Sequence, residues 1–115
     1  MNIVLGTCEI VQGMYGLNGR INAHPGKGDE LAAALLEAAR RVADVEGCEL
    51  YVISRVPGEP DAIVVNEVWT SREAHAASLQ DERVKEIIQR AMPLIAGMSD
   101  RVELEPLGGK GLPAA

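Results

Sequence analysis

The sequence predicts an α+β domain of ferredoxin-like type, a βαββαβ antiparallel sheet with two helices on one face. Three observations carry that prediction. One strand alternates polar and apolar residues, two later strands are apolar on both faces, and two intervening segments repeat apolar residues at helical spacing.

The first strand is residues 14–23. Tyr15, Leu17, Ile21 and Ala23 share one parity, while Asn18, Arg20 and Asn22, followed by His24, share the other. Pro25, Gly26 and Gly28 end it, because proline lacks an amide donor and glycine accepts turn angles. Asp29 then stands as a helix cap. Leu31, Leu35, Ala38, Ala39, Val42 and Ala43 recur at steps that put them on one side of a helix of about four turns. Gly47 closes it.

A second strand, 48–56, contains the consecutive run Leu50, Tyr51, Val52 and Ile53, and residues 57–61 read as a hairpin connection to a third strand, 62–69. Thr70 or Ser71, with Glu73 after it, opens a second helix, which Val84, Ile87, Ile88, Ala91 and Ile95 continue. Pro93 must kink or shorten that helix. Val102 and Leu104 alternate with Arg101, Glu103 and Glu105 in a last strand, 101–106. The domain therefore occupies 14–106. Residues 1–13 form an N-terminal extension expected to add an edge strand, and 107–115 form a Gly- and Pro-rich tail.

With no Phe and three aromatic residues in all, Tyr15, Tyr51 and Trp69, the 115-residue chain must build its core from aliphatic side chains. A net charge of −6 with no basic cluster argues against nucleic-acid and anionic membrane partners. The start of the chain lacks the basic and apolar blocks of a signal peptide, and Cys8 and Cys48 have no metal-ligand spacing, so a cytoplasmic protein with free thiols and no metal site is expected. Helices cover only one face of the sheet. Strands apolar on both faces thus imply a homodimer, two sheets packed face to face as a dimeric α/β-barrel.

The stretch Val64-Val65-Asn66-Glu67-Val68-Trp69-Thr70-Ser71-Arg72-Glu73-Ala74-His75 resembles the third strand and following helix start of the antibiotic biosynthesis monooxygenase family. Residues 26–31 and 46–48 are similar to the same family, and the resemblance spans about 14–106. It implies a pocket between sheet and helices that takes a small aromatic substrate, a quinol or polyphenol, with dioxygen and no cofactor. Removal of a phenolic proton makes an electron-rich anion able to reduce dioxygen, so such a protein supplies desolvation and a polar clamp.

The resemblance also implies site residues. Trp69 and Asn66 match an aromatic and an amide at the end of the third strand, Asn66 only if that strand is bulged. His75 takes the place of a Tyr, where its ring nitrogen can hydrogen-bond or accept a proton. Arg90 stands nearest to a helical Arg, and Ser78 falls where quinol-oxidising relatives carry a His. His24 and His75 are the only histidines, so the later helical His of haem-degrading relatives is missing.

Each of these residues also has a plain structural reading. Trp69 can be core filler, His75 a helix surface residue, and Asn66 a strand-edge donor. Glu67, between apolar neighbours, must reach the pocket rim or meet a cation such as Arg20. Two functions follow: a cofactor-independent monooxygenase, or a non-enzymatic dimeric module that binds a small hydrophobic ligand.

Overall fold

In the computed structural model, which describes residues 13–113, the chain runs β1 (Tyr15–Ala23), α1 (Gly28–Val42), β2 (Cys48–Val56), β3 (Glu59–Trp69), α2 (Arg72–Ser78), α3 (Glu82–Ala91) and β4 (Ile95–Leu104). The strands make one antiparallel sheet in the order β2-β3-β1-β4, the ferredoxin-like arrangement. The edge strand expected in the N-terminal extension falls outside the described residues.

The period-two pattern sorts the sheet into two faces. On one, Ile63, Val65 and Trp69 from β3 meet Ala23 and Tyr15 from β1 and the apolar sides of α1 and α3, including Leu31, Leu35, Val42, Val84 and Ala91. Trp69, Leu31 and Ile63 have no exposed surface, so the core sits between the helices and the two central strands. On the other face no helix packs. There Val52, Asn66, Asn18 and Val102 form one row across all four strands, and Leu50, Val68, Gly16 and Leu104 form the next.

Several elements depart from the sequence reading. The second helix is two helices, because the chain turns at 79–81 and starts again at Asp81, whose carboxylate accepts the amides of Arg83 and Val84 and the guanidinium of Arg41. Pro93 sits in a single 3-10 turn, Met92–Leu94, after which the chain is already extended, so Ile95 opens β4 instead of closing a helix. The hairpin between β2 and β3 needs only Pro57 and Gly58, the latter at φ 83°, which leaves Glu59 paired with Val56.

Asp29 does not cap α1. Asp61, reaching across from β3, takes the amides of Gly26 and Gly28 instead, and Asp29 pairs with Arg55. The helix start lies so close to β3 that a Cβ on Gly28 would stand 2.0 Å from the Pro60 carbonyl oxygen. At the other end of the sheet, β4 places two residues, Asp100 and Arg101, opposite Gly19, with Asp100 at φ 54°. This bulge reverses the parity of the strand. Met98 pairs with Ile21 on the helix side, and beyond the bulge Arg101 and Glu103 take that side while Val102 faces away.

Candidate functional site

A cavity of about 190 Å³ lies between the sheet and the helices, walled largely by aliphatic side chains of α1, α3 and β4. Its polar lining is Glu67 from β3, Tyr51 from β2, and His75 and Ser78 from α2. A second compartment of about 180 Å³ continues toward β4, sharing Ile21, Leu35, Tyr51, Glu67 and Met98 with the first and adding Arg20 and Arg101. A closed apolar cavity of roughly 150 Å³ is enough to hold benzene, so one aromatic ring fits the first compartment and a substituent can reach the second.

Local sequence explains how the polar groups arrive there. Ser71 caps α2 by accepting the amide of Ala74, which fixes the helix start three residues after β3 ends. His75, one turn in, is then directed back over the sheet, with its ring 5.2 Å from that of Tyr15 and 5.7 Å from that of Trp69. Glu67 and Trp69 share the inner face of β3 at i and i+2, and the indole Nε1 donates to Glu67 Oε1 at 2.9 Å. The same oxygen lies 3.7 Å from His75 Nε2, too far for a direct hydrogen bond but close enough for charge on either to act on the other.

Burial sets the protonation of this pair. It raises the carboxyl pKa of Glu67 above the ordinary value, opposed by the Trp69 hydrogen bond and the charge of Arg101. It lowers that of His75, and Arg101 and Arg72 lower it further, so the imidazole is held neutral. Burial also pushes the Tyr51 hydroxyl up, helped by the charge of Glu67. Behind the pair, Tyr15 donates to Glu103 at 2.7 Å, and Arg72 both bonds Glu103 and lies 4.6 Å over the Tyr15 ring, which ties α2 to β1 and β4.

The residues expected at the site divide. His75 and Ser78 reach the cavity wall, although the Ser78 hydroxyl is engaged by the His75 carbonyl oxygen. Trp69 does not line the cavity. It is fully buried behind it, in contact with the site through Glu67 and His75. Asn66 lies on the opposite face of the sheet, where its Oδ1 accepts a hydrogen bond from Asn18, because β3 is unbulged between Ala62 and Trp69 where it pairs with β1.

Arg90 is on the outside of α3, bound to Glu86 and Glu37. Arg20 does not meet Glu67, since its guanidinium is held by Glu59 and Asn22. Two cavity groups were not foreseen as site residues, Tyr51 and Arg101. Tyr51 carried a signal in the run 50–53, whose alternate members must face the helices. Arg101 carried none, because its direction depends on the bulge. Among the described residues no three His, Cys, Asp or Glu side chains converge as a metal site would need, and no helix is long and apolar enough to cross a membrane.

Comparison with known proteins gives the architecture its relatives. No curated protein matches the chain significantly. Among solved structures, one from Chloroflexus aurantiacus described as an antibiotic biosynthesis monooxygenase is 42% identical, with a TM-score of 0.81 over 88% of this chain and 100% of that one. A similarly described protein from Caulobacter crescentus is 26% identical, with a TM-score of 0.74 over 84% and 92% of the two chains. SnoaB, a cofactor-independent oxygenase from Streptomyces nogalater, shares the fold at 16% identity and a TM-score of 0.69, over 79% of this chain and 90% of its own. The family model for antibiotic biosynthesis monooxygenases matches residues 14–90, which takes in β1 through nearly all of α3, and the chain belongs to that family.

Proposed function

We propose that the protein is a cofactor-independent monooxygenase that oxidises a quinol or related aromatic with dioxygen. The observation that supports this most directly is the aliphatic cavity with His75 and Glu67 facing each other on its wall. A hydroxyl seated there loses its hydration, and the neutral imidazole of His75 is the group to accept its proton. The resulting anion supplies electrons to dioxygen. One oxygen atom enters the ring and the other leaves as water, so a quinol becomes a hydroxylated quinone with no external reductant.

Trp69 serves this chemistry from behind the wall, holding Glu67 where its charge faces the imidazole. Ser78 adds to the wall of the first compartment one turn from His75. Asn66 and Arg90 have no place in this scheme, since both are engaged elsewhere.

The uncovered sheet face supports a homodimer as the working form. Val52, Val102 and Leu104 on its two rows are 43%, 47% and 51% exposed, and a second copy laid face to face covers them. A monomer by light scattering at micromolar concentration overturns the dimer without touching the chemistry. The reading keeps the protein in the cytoplasm, where Cys48 stays a thiol.

Oxygen consumption with a panel of hydroquinones tests the enzyme. Turnover that falls by about 10²-fold or more in His75→Gln is the expected result. Binding of hydroquinones without oxygen uptake, unchanged by the substitution, would instead identify a non-enzymatic ligand-binding module.

A further inference from the structure

The second compartment holds two guanidinium groups, and they are not equivalent. Arg20 is neutralised by Glu59 at 2.6 Å and bonded to Asn22. Arg101 makes no ion pair or hydrogen bond among the described residues, although its charge reaches Glu67 and Glu103. Glu103 is already bound by Arg72 and Tyr15.

Arg101 is also aimed by a specific device. In a regular strand the residue three after Met98 would face away from the helices. The extra residue at Asp100, in the left-handed region at φ 54°, turns Arg101 to the same side as Met98, where it lines the compartment with Tyr51 and Glu67. A non-glycine residue in that conformation is unfavourable in itself, so the rest of the strand must hold it there.

We propose that Arg101 is the specificity-determining residue of the site, and that the substrate is an aromatic carrying a carboxylate on the ring, which Arg101 binds in the second compartment. The oxidisable hydroxyl then lies in the first compartment beside His75 and Glu67. This rests on the monooxygenase reading for the fate of the hydroxyl, but not for the binding of the carboxylate. A guanidinium without an ion pair at the mouth of an apolar cavity can take a carboxylate in a charge-assisted, two-pronged bond. Seating an anion there has a second effect. It offsets the charge of Arg101 that adds to burial in lowering the His75 pKa, so the imidazole becomes more basic when the carboxylate is bound.

The test uses two isosteric probes, 4-hydroxybenzoate and 4-hydroxybenzamide, with the full chain, Arg101→Gln and Arg101→Lys. Calorimetry is expected to show the acid binding about tenfold or more tighter than the amide to the unsubstituted protein. Arg101→Gln removes that preference, Arg101→Lys restores part of it, and the imidazole resonances of His75 titrate at higher pH with the acid bound. Because Arg101 is exposed, neither variant disturbs the core.

Equal affinity for the two probes, no measurable binding of the acid, or a preference that survives Arg101→Gln overturns the proposal. A charge preference with no oxygen uptake from any hydroxylated aromatic acid leaves Arg101 as the anion site and removes the monooxygenase.

Discussion

Glu67 Oε1 stands between the Trp69 indole and His75 Nε2, bonded to the first at 2.9 Å and 3.7 Å from the second. A carboxylate in that place has one fixed donor and a partner that burial keeps neutral, so its charge is under-compensated.

Replacing it should therefore stabilise the protein while harming the chemistry. A group whose folded pKa is raised contributes stability below its ordinary value, here 4.5, and loses that contribution as pH rises through the folded value. Glu67→Gln keeps an acceptor for Trp69 and does not titrate. Its melting temperature is expected to exceed that of the unsubstituted protein at neutral pH, with the gap closing below pH 4.5. Turnover should fall by about 10²-fold. Thermal melts across pH beside oxygen uptake check both halves.

Trp69→Phe separates the indole's bulk from its hydrogen bond. Loss of the Nε1 donor leaves Glu67 with burial less opposed, so its carboxyl pKa moves further up, readable from the carboxyl carbon resonance. Trp69→Ala, which empties a fully buried site, should cost about 3–5 kcal/mol in denaturant unfolding.

The acid limb of stability should belong partly to Asp81. Arg41 and the amides of α3 hold its carboxyl at about 2, below the ordinary 3.8. Its contribution is present above pH 3.8 and is lost as pH falls toward 2. Asp81→Asn, still able to cap the helix but not to pair with Arg41, should lose less stability over that interval. An acid titration followed by circular dichroism would show it.

Gly28→Ala tests the docking of α1 on β3. Ordinarily this change favours a helix by about 1 kcal/mol. Here the added methyl meets the Pro60 carbonyl at 2.0 Å, so the variant should be destabilised, with a lower denaturant midpoint. An unchanged or higher midpoint would mean that the helix start is free to shift.

The sequence and the structure agree where periodicity is local. Alternation in 14–23 and the helical repeat after Leu31 are enough to place β1, α1 and the buried face of each. They part where long-range geometry decides. Ile95 continues a helical spacing from Val84 through Ala91, and only the 3-10 turn at Pro93 reassigns it to a strand. Asn66 and Glu67 differ by one in sequence and by a whole sheet in space. The regular register of β3 against β1, invisible in one strand alone, sends Glu67 into the cavity and Asn66 away from it. The family resemblance puts Arg90 nearest to a helical Arg of the site, yet Glu37, far off on α1, occupies it together with Glu86.

The bulge opposite Gly19 makes the outer half of β4 a matter of counting. Deleting Asp100 would leave Arg101 alone opposite Gly19 and every later pair in place, whereas straightening the strand with all its residues kept would turn each later side chain over, sending the charge of position 101 to the outer face and offering the Val102 isopropyl group to the cavity. A scaffold built this way can exchange a charged mouth for a greasy one by sliding the outer half of β4 one residue along β1, with no residue substituted and the inner wall at His75 untouched.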